Sequence, residues 1–173
     1  DGDYLYWVDI PERRLHRTHI HTAQDEFLEL DQQIGCIAAC ESGGLMLAME
    51  SGFFHMATWG AKPQPFGPEI LADQPHLRFN DGCVDPKGRW WVGSVTADKS
   101  RADAALYRLT GDGEARKIFG GLLTSNGAGF SADYSRFYHA DTPSHALSVY
   151  PYDVESGTLG EGKILHQFEH GTG

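Results

Sequence analysis

The sequence RFNDGCVDPKGRWWVGS, residues 78–94, contains two extended segments joined by a turn. Its centre, DPKG at residues 85–88, is a Pro/Gly turn signal, and the run that follows it is apolar enough for a strand. A hairpin needs turn residues at its tip and apolar residues in its arms, but it does not need Arg78, Asn80 and Asp81 bunched before the first arm. This surplus of hydrogen-bonding side chains predicts a polar site beside the hairpin.

The same apolar run recurs along the chain. It occupies residues 4–9, 45–50, 89–94 and 136–141, so that successive starts are 41, 44 and 47 residues apart. Each run follows a turn signal rich in Gly, Asp, Ser or Pro. Self-similar units of ~40–50 residues with several short strands are typical of β-propeller blades. The predicted fold class is therefore all-β, and the predicted architecture is a β-propeller.

The repeats define the predicted domain organisation. Residues 1–32 form a partial blade without an innermost strand, and residues 33–76, 77–122 and 123–173 form complete blades of four strands each. In the third repeat the innermost strand is expected near residues 82–84. Because three complete blades and part of a fourth do not close a ring, we expect a single-domain piece of a longer propeller.

Composition agrees with this prediction and limits the classes of partner. The chain has 21 Gly and 8 Pro for turns and 12% aromatic residues for pleated surfaces, so helix should be scarce. Its formal net charge is −10 without a basic stripe, which argues against a nucleic-acid partner. No stretch of about 18 apolar residues occurs, so no membrane partner is expected.

Three cysteines do not suggest a disulfide framework. Cys36 and Cys40 are too far apart in an extended strand to bridge, and Cys83 stands alone. Buried thiols in a reducing compartment explain all three, and a reactive thiol is the alternative. The expected location is cytoplasmic.

Several motifs together resemble a known family. RFNDG at residues 78–82 with VDP at 84–86, SNG at 125–127, VDIP at 8–11 and SGG at 42–44 occur in the order and spacing of the SMP-30/gluconolactonase family. The resemblance runs along nearly the whole chain. It implies a six-bladed propeller with one divalent metal in its central channel, and hydrolysis of a sugar lactone to the aldonic acid. The metal could be Ca²⁺, Zn²⁺, Mg²⁺ or Mn²⁺, and the lactone and oligomeric state stay open.

The resemblance assigns site residues to this chain. Asn126 matches the metal-binding asparagine of the family, and its amide oxygen is a neutral ligand that suits these cations when carboxylates supply the charge. Arg78 and Asn80 match substrate contacts, and Asp98 stands where the family has an acidic one, usually a glutamate. Without the resemblance, Asn126 would be a turn residue. Arg78 and Asn80 would equally well form a salt bridge and an Asx-turn.

Two parts of the family site have no counterpart here. The metal-binding glutamate, on the innermost strand of the first blade, and the metal-binding aspartate that is the presumed general base, on the fifth blade, are not found in this sequence. We expect the glutamate before the first residue and the aspartate beyond Gly173. The catalytic residue of this chain is therefore unknown, and the chain alone is expected to be inactive.

Other functions stay open. A non-catalytic propeller that binds calcium or a protein partner has the same fold, and a related metal-dependent hydrolase of phosphotriesters or other esters has the same metal. His139 and His145 flank a loop of the fourth repeat and are candidates for substrate contact. Asp141, beside the same loop, either holds a site residue in place or is an ordinary acidic residue of a turn.

Overall fold

The structure is a computed structural model that describes residues 2–98, 101–169 and 171. These residues form sixteen β-strands and a single 3₁₀ helix, Thr142–Ser144, which confirms the all-β prediction. No helix among them is long and apolar enough to cross a membrane. Two compact units make up the chain, residues 1–79 and residues 80–173.

The first unit begins with a sheet in the order β1-β2-β3. Its antiparallel strands are β1 (Tyr4–Asp9), β2 (Arg14–His19) and β3 (Asp25–Glu29). In β2 the adjacent residues Leu15 and His16 are both buried, and Leu15 is fully so.

A second sheet of the first unit has the order β4-β5-β6-β7. Its strands are β4 (Ile34–Ala39), β5 (Leu45–Met49), β6 (Phe53–Met56) and the two-residue β7 (Gln64–Pro65). The turn between β4 and β5 requires Gly44, which has a φ of +80° and whose added Cβ would lie 2.3 Å from a backbone oxygen of β6. The apolar core of this unit lies between its two sheets. Its buried members are Leu15, Ile34, Leu45, Leu47, Met49, Phe54 and Met56.

The third sheet has the order β11-β10-β9-β8. Its strands are β8 (Leu77–Val84), β9 (Trp90–Thr96), β10 (Ala104–Leu109) and β11 (Ala115–Leu122). The boundary between the two units falls within β8. The innermost strand was expected near residue 82, but it begins at Leu77, because tertiary pairing overrides the low strand propensity of Arg, Asn and Asp.

The fourth sheet holds β12, β13, β14 and β15 in that order, with β16 also paired to β14. The strands are β12 (Ser125–Phe130), β13 (Arg136–Asp141), β14 (Ala146–Asp153), β15 (Thr158–Leu159) and β16 (Lys163–Gln167). The 3₁₀ helix connects β13 to β14. Apart from the pairing of β16 with β14, strands that follow one another in the chain are neighbours in every sheet, as in propeller blades. The boundaries between blades stay a prediction.

The core of the second unit is aromatic. Trp91, Leu106 and Phe137 are fully buried, and Tyr152 closes the cluster. The rings of Trp91 and Tyr152 meet edge to face with centroids 5.8 Å apart. This packing joins the third sheet to the fourth.

Candidate functional site

Polar side chains collect at one end of the strands of the second unit. The end of β9 lies beside the start of β12, since Val95 and Thr124 form an antiparallel bridge. The hairpin turn between β8 and β9 lies at the other end of β9, so β8 enters the unit on the Val95 side. Asn80 of β8 and Asn126 of β12 therefore lie at this same end of the second unit.

Asn80 is tied to the start of β12. Its Nδ2 donates a hydrogen bond of 3.1 Å to the backbone carbonyl of Ser125, which lies 45 residues further along the chain. Asn80 is half-buried on β8. This contact brings together two of the predicted site segments, RFNDG and SNG.

Asn126 is oriented by a side chain of the 3₁₀ helix. Its Nδ2 donates to Oγ1 of Thr142 at 3.2 Å, which turns the amide so that the nitrogen is engaged. Among the described residues, no hydrogen-bond donor meets its Oδ1. An amide held by its nitrogen presents its oxygen as a ligand, which is the arrangement a hard cation needs.

A buried pair of side chains lies directly behind Asn126. Oγ of Ser125 and Nε2 of His139 share a hydrogen bond of 2.7 Å. The two residues are 1% and 2% exposed. Burial lowers the pKa of His139 to about 4, against opposing effects of Asp141 and Asp81, so the imidazole is neutral at neutral pH.

Gly93 makes room for this pair. A Cβ added to Gly93 of β9 would lie 1.9 Å from Oγ of Ser125, so no side chain fits there. Asp141 fixes the backbone directly before β12, because its carboxylate accepts hydrogen bonds from the N–H groups of Thr124 at 2.7 Å and Leu123 at 3.3 Å. The start of β12 is thus held from both neighbouring strands.

Arg78 and Asp98 are the other two predicted substrate contacts. Arg78 belongs to the first unit, where a guanidinium nitrogen donates to the carbonyl of Phe79 at 2.8 Å. Burial lowers the pKa of Arg78, and Glu50 partly offsets this effect. Asp98 is exposed in the bend that follows β9, on the same side of the second unit as Asn126. The roles of Arg78, Asn80, Asp98 and Asn126 stay predictions.

The described residues supply only part of a metal site. No group of three or more His, Cys, Asp or Glu side chains among them is arranged to hold an ion. Asn126 fits as one neutral oxygen ligand, because its Oδ1 has no other partner among these residues and its nitrogen is held by Thr142. A cation there would need further ligands, with negative charge, from outside the described residues.

Thiol chemistry finds no support at this site. Burial raises the pKa of Cys83 to about 12, with smaller contributions from Asp81 and Asp85, so its thiol stays protonated. Cys36, Cys40 and Cys83 are half-buried and form no disulfide among the described residues.

The position of His139 differs from the one expected from the sequence. It was expected to flank a rim loop as a possible substrate contact, but it lies in β13 and is buried, so it cannot touch a substrate. No local pattern in the sequence pairs it with Ser125. The usable signal was the position of His139 on the same strand face as the apolar Phe137, because a polar side chain on a buried face needs a partner.

The comparisons with known proteins cover the whole chain. The family description "SMP-30/Gluconolactonase/LRE-like region" matches residues 1–173. A 6-deoxy-6-sulfogluconolactonase of Pseudomonas putida is 38% identical over 173 residues, covering 98% of this chain and 57% of the relative. A regucalcin of Danio rerio is 31% identical over 175 residues, covering all of this chain and 58% of the relative. The chain thus spans little more than half the length of these curated relatives.

Solved structures show the same fold. A calcium-binding protein, regucalcin, from Agrobacterium tumefaciens superposes with a TM-score of 0.88 at 24% identity, over 94% of this chain and 55% of that one. The matched structures include propellers, so the four sheets are propeller blades. With the family description matched from the first residue to the last, the chain belongs to the SMP-30/gluconolactonase/LRE-like family.

Proposed function

We propose that the full-length protein containing this chain is a metal-dependent lactonase that hydrolyses a sugar lactone to its aldonic acid. The observation that carries the proposal is the amide of Asn126, whose nitrogen is engaged by Thr142 while its oxygen has no hydrogen-bond partner among the described residues. Asn80 is tied to the residue before it. A relative named 6-deoxy-6-sulfogluconolactonase supports the substrate class, and a regucalcin structure described as that of a calcium-binding protein supports the metal.

In this proposal, Asn126 supplies one ligand of a divalent cation. The carboxylate ligands, and the aspartate that takes a proton from the attacking water, come from parts of the protein outside this chain. A bound divalent cation polarises a lactone carbonyl and stabilises the oxyanion that forms on attack. Ca²⁺, Zn²⁺, Mg²⁺ and Mn²⁺ all accept an amide oxygen. Residues 1–173 by themselves should therefore hydrolyse no lactone.

The remaining residues orient the substrate. Arg78 offers a planar set of donors and Asn80 an amide, both suited to the hydroxyl groups of a sugar ring. Asp98 would accept a hydrogen bond from a further hydroxyl. The Pseudomonas putida relative is named for a lactone that carries a sulfonate at its sixth carbon, so both neutral and sulfonated gluconolactones belong among the candidate substrates.

A pH-indicator assay of the full-length protein tests the proposal. We expect hydrolysis of glucono-lactone or of 6-deoxy-6-sulfogluconolactone that stops with EDTA and returns with Ca²⁺, Mg²⁺, Mn²⁺ or Zn²⁺. Asn126→Ala should weaken metal binding about 10- to 100-fold and reduce kcat/KM with it, because an oxygen ligand is lost.

Asn126→Asp is the matched control for this variant. It keeps an oxygen at the same position and should retain metal binding, whereas Asn126→Ala should not. Wild-type activity of Asn126→Ala, or hydrolysis that survives chelation, would remove Asn126 from the metal site.

A non-catalytic calcium-binding propeller is the second candidate. It is favoured by the Agrobacterium tumefaciens relative, which is described as a calcium-binding protein. The same assay separates the two candidates, since this alternative predicts metal binding without hydrolysis of any lactone in the panel.

A further inference from the structure

The start of β12 needs support that its own ladder does not give. Asn126 pairs with Ala140, but the next paired residue of β12 is Gly129, so the ladder breaks directly after Asn126. Gly127, inside this break, has a φ of +59°. A residue at the last regular position before a bulge is held less firmly than one in mid-strand. Side-chain contacts must therefore fix the direction of the Asn126 amide.

Thr142 contacts the amide itself, and the Ser125–His139 hydrogen bond fixes the residue directly before Asn126. Ser125 faces Asp141 in the register, so His139 is its diagonal neighbour on the same face of the sheet. Their hydrogen bond of 2.7 Å is buried, and Gly93 leaves the space that Ser125 occupies. An apolar pair of the same volume would fill this space but would not fix a rotamer by a directed bond.

Ser125 also links two of the predicted site residues, Asn80 and Asn126. Its carbonyl accepts the hydrogen bond from Asn80, and its peptide bond leads directly into Asn126. A rotation of Ser125 would therefore turn both the carbonyl that holds Asn80 and the peptide plane that carries Asn126.

We propose that the buried Ser125–His139 pair is a positioning device, which sets the geometry of the Asn126 amide and of Asn80 for ligand binding. This inference rests on the proposed metal role of Asn126. Ser125 and His139 are not a nucleophile and its base, because both are almost fully buried and a substrate cannot reach Oγ. They act only through Asn126 and Asn80.

The test measures metal binding of the full-length protein by calorimetry, with Ca²⁺ or Mn²⁺ alone as the probe and no substrate. Ser125→Ala and His139→Phe should each raise the metal Kd about tenfold, as loss of a group that orients a ligand does. The double variant should bind no more weakly than either single variant, because the two side chains act as one unit. His139→Gln, which keeps a side-chain donor, should recover part of the affinity.

Ser94→Ala is the matched control. Ser94 is also fully buried, in β9 of the same unit, and its Oγ bonds the backbone of Ala105 rather than the site. Removal of the Ser94 hydroxyl should lower the thermal midpoint as Ser125→Ala does. It should leave the metal Kd within about twofold of the wild type. An equal loss of affinity in Ser94→Ala would reduce the pair to ordinary packing.

Outcomes for this inference and for the proposed function can be told apart. If Asn126→Ala abolishes metal binding while Ser125→Ala and His139→Phe bind like the wild type, the positioning role is overturned and the metal site stands. If the pair controls metal affinity but no lactone is hydrolysed, the positioning role stands and the lactonase proposal fails. If the folded wild type binds none of Ca²⁺, Mg²⁺, Mn²⁺ and Zn²⁺, both are overturned.

Discussion

Asp85 and Asp141 are two carboxylates of the same unit that stand at opposite ends of its strands and have different surroundings. Asp85 is 4% exposed and accepts hydrogen bonds from Tyr152 at 2.6 Å, Arg89 at 2.5 Å and Trp91 at 3.1 Å. Backbone N–H groups of the hairpin turn complete its shell. Among the described residues, the carboxylate of Asp141 accepts hydrogen bonds only from the backbone N–H groups of Leu123 and Thr124, which directly precede β12.

The two carboxylates differ in how completely the polar groups around them are paired. The Asp85 network joins the turn of the third sheet to β14 of the fourth sheet, and Arg89 extends it to the carbonyl of Val154. Around Asp141, in contrast, the amide oxygen of Asn126 and the hydroxyl of Thr124 lack partners among the described residues. A saturated network stabilises a fold, whereas unpaired oxygens at a strand end are available to a ligand.

The largest effect should come from breaking the saturated network. Asp85→Ala removes the carboxylate that pairs with Arg89 and satisfies Trp91 and Tyr152, and it leaves those donors buried. We expect the free energy of unfolding to fall by about 3–5 kcal/mol, as for loss of one partner of a buried ion pair. Urea denaturation of the full-length protein measures it.

Asp133→Ala is the control for this variant. The carboxylate of Asp133 accepts hydrogen bonds from Ser131 and Ser135 within one exposed turn. Its loss should therefore lower the free energy of unfolding much less than Asp85→Ala does. The metal Kd of Asp85→Ala, measured under conditions where the variant is folded, should equal that of the wild type. A small stability loss, or a large change in metal affinity, would break the contrast between the two ends.

Acid should affect the two ends in different pH windows. The pKa of His139 is lowered by burial from an ordinary 6.5 to about 4, so the unfolded state binds a proton that the folded state does not. Stability should therefore fall as the pH drops from 6.5 to 4, by up to about 3 kcal/mol, and this loss should level off below pH 4. His139→Gln should flatten the slope in that window.

The contribution of Asp85 to stability is lost at a lower pH than that of His139. Burial alone would raise its pKa, but hydrogen bonds from Tyr152, Arg89 and Trp91 outweigh burial and lower it below the ordinary 3.8. Its contribution is fully present above pH 3.8 and is lost as the pH falls through the lower folded value. Denaturation curves of the wild type and of Asp85→Asn between pH 7 and pH 3 would show both windows. A single window that responds equally to His139→Gln and Asp85→Asn would contradict the assignment.

Local signals predicted the strands well and the site contacts poorly. The apolar runs at residues 45–49 and 136–141 and the turn at 85–88 are short-range patterns, and the structure has strands and a turn there. Asn80 and Ser125 are 45 residues apart, and the bond between them depends on how two sheets pack. No sequence pattern reports that packing.

The Ser125–His139 pair was missed for a related reason. The two residues are 14 positions apart, and they meet only because of the register of β12 against β13, next to a bulge. The need for a glycine at position 93 likewise follows from the position of Ser125 on another sheet. In both cases, contacts between strands decide which polar residues become partners.

Thr124 offers the smallest test of the contrast between the two ends. It is 7% exposed, and its Oγ1 has no hydrogen-bond partner among the described residues. Thr124→Val keeps the shape and removes the unpaired hydroxyl, so we expect a gain of up to about 1 kcal/mol in the free energy of unfolding. Thr96→Val is the matched control, because Oγ1 of Thr96 donates to the carbonyl of Leu123 at 3.3 Å, and it should lose about 1 kcal/mol instead.

The activity of Thr124→Val decides what the unpaired hydroxyl is for. If the hydroxyl serves a ligand at the Asn126 end, the variant should be more stable than the wild type and yet have a lower kcat/KM, since natural sites give up stability for function. If Thr124→Val is as destabilised as Thr96→Val, the hydroxyl is already paired in the folded protein. In that case, this end of the unit is as saturated as the end around Asp85, and the unpaired oxygens no longer mark the site.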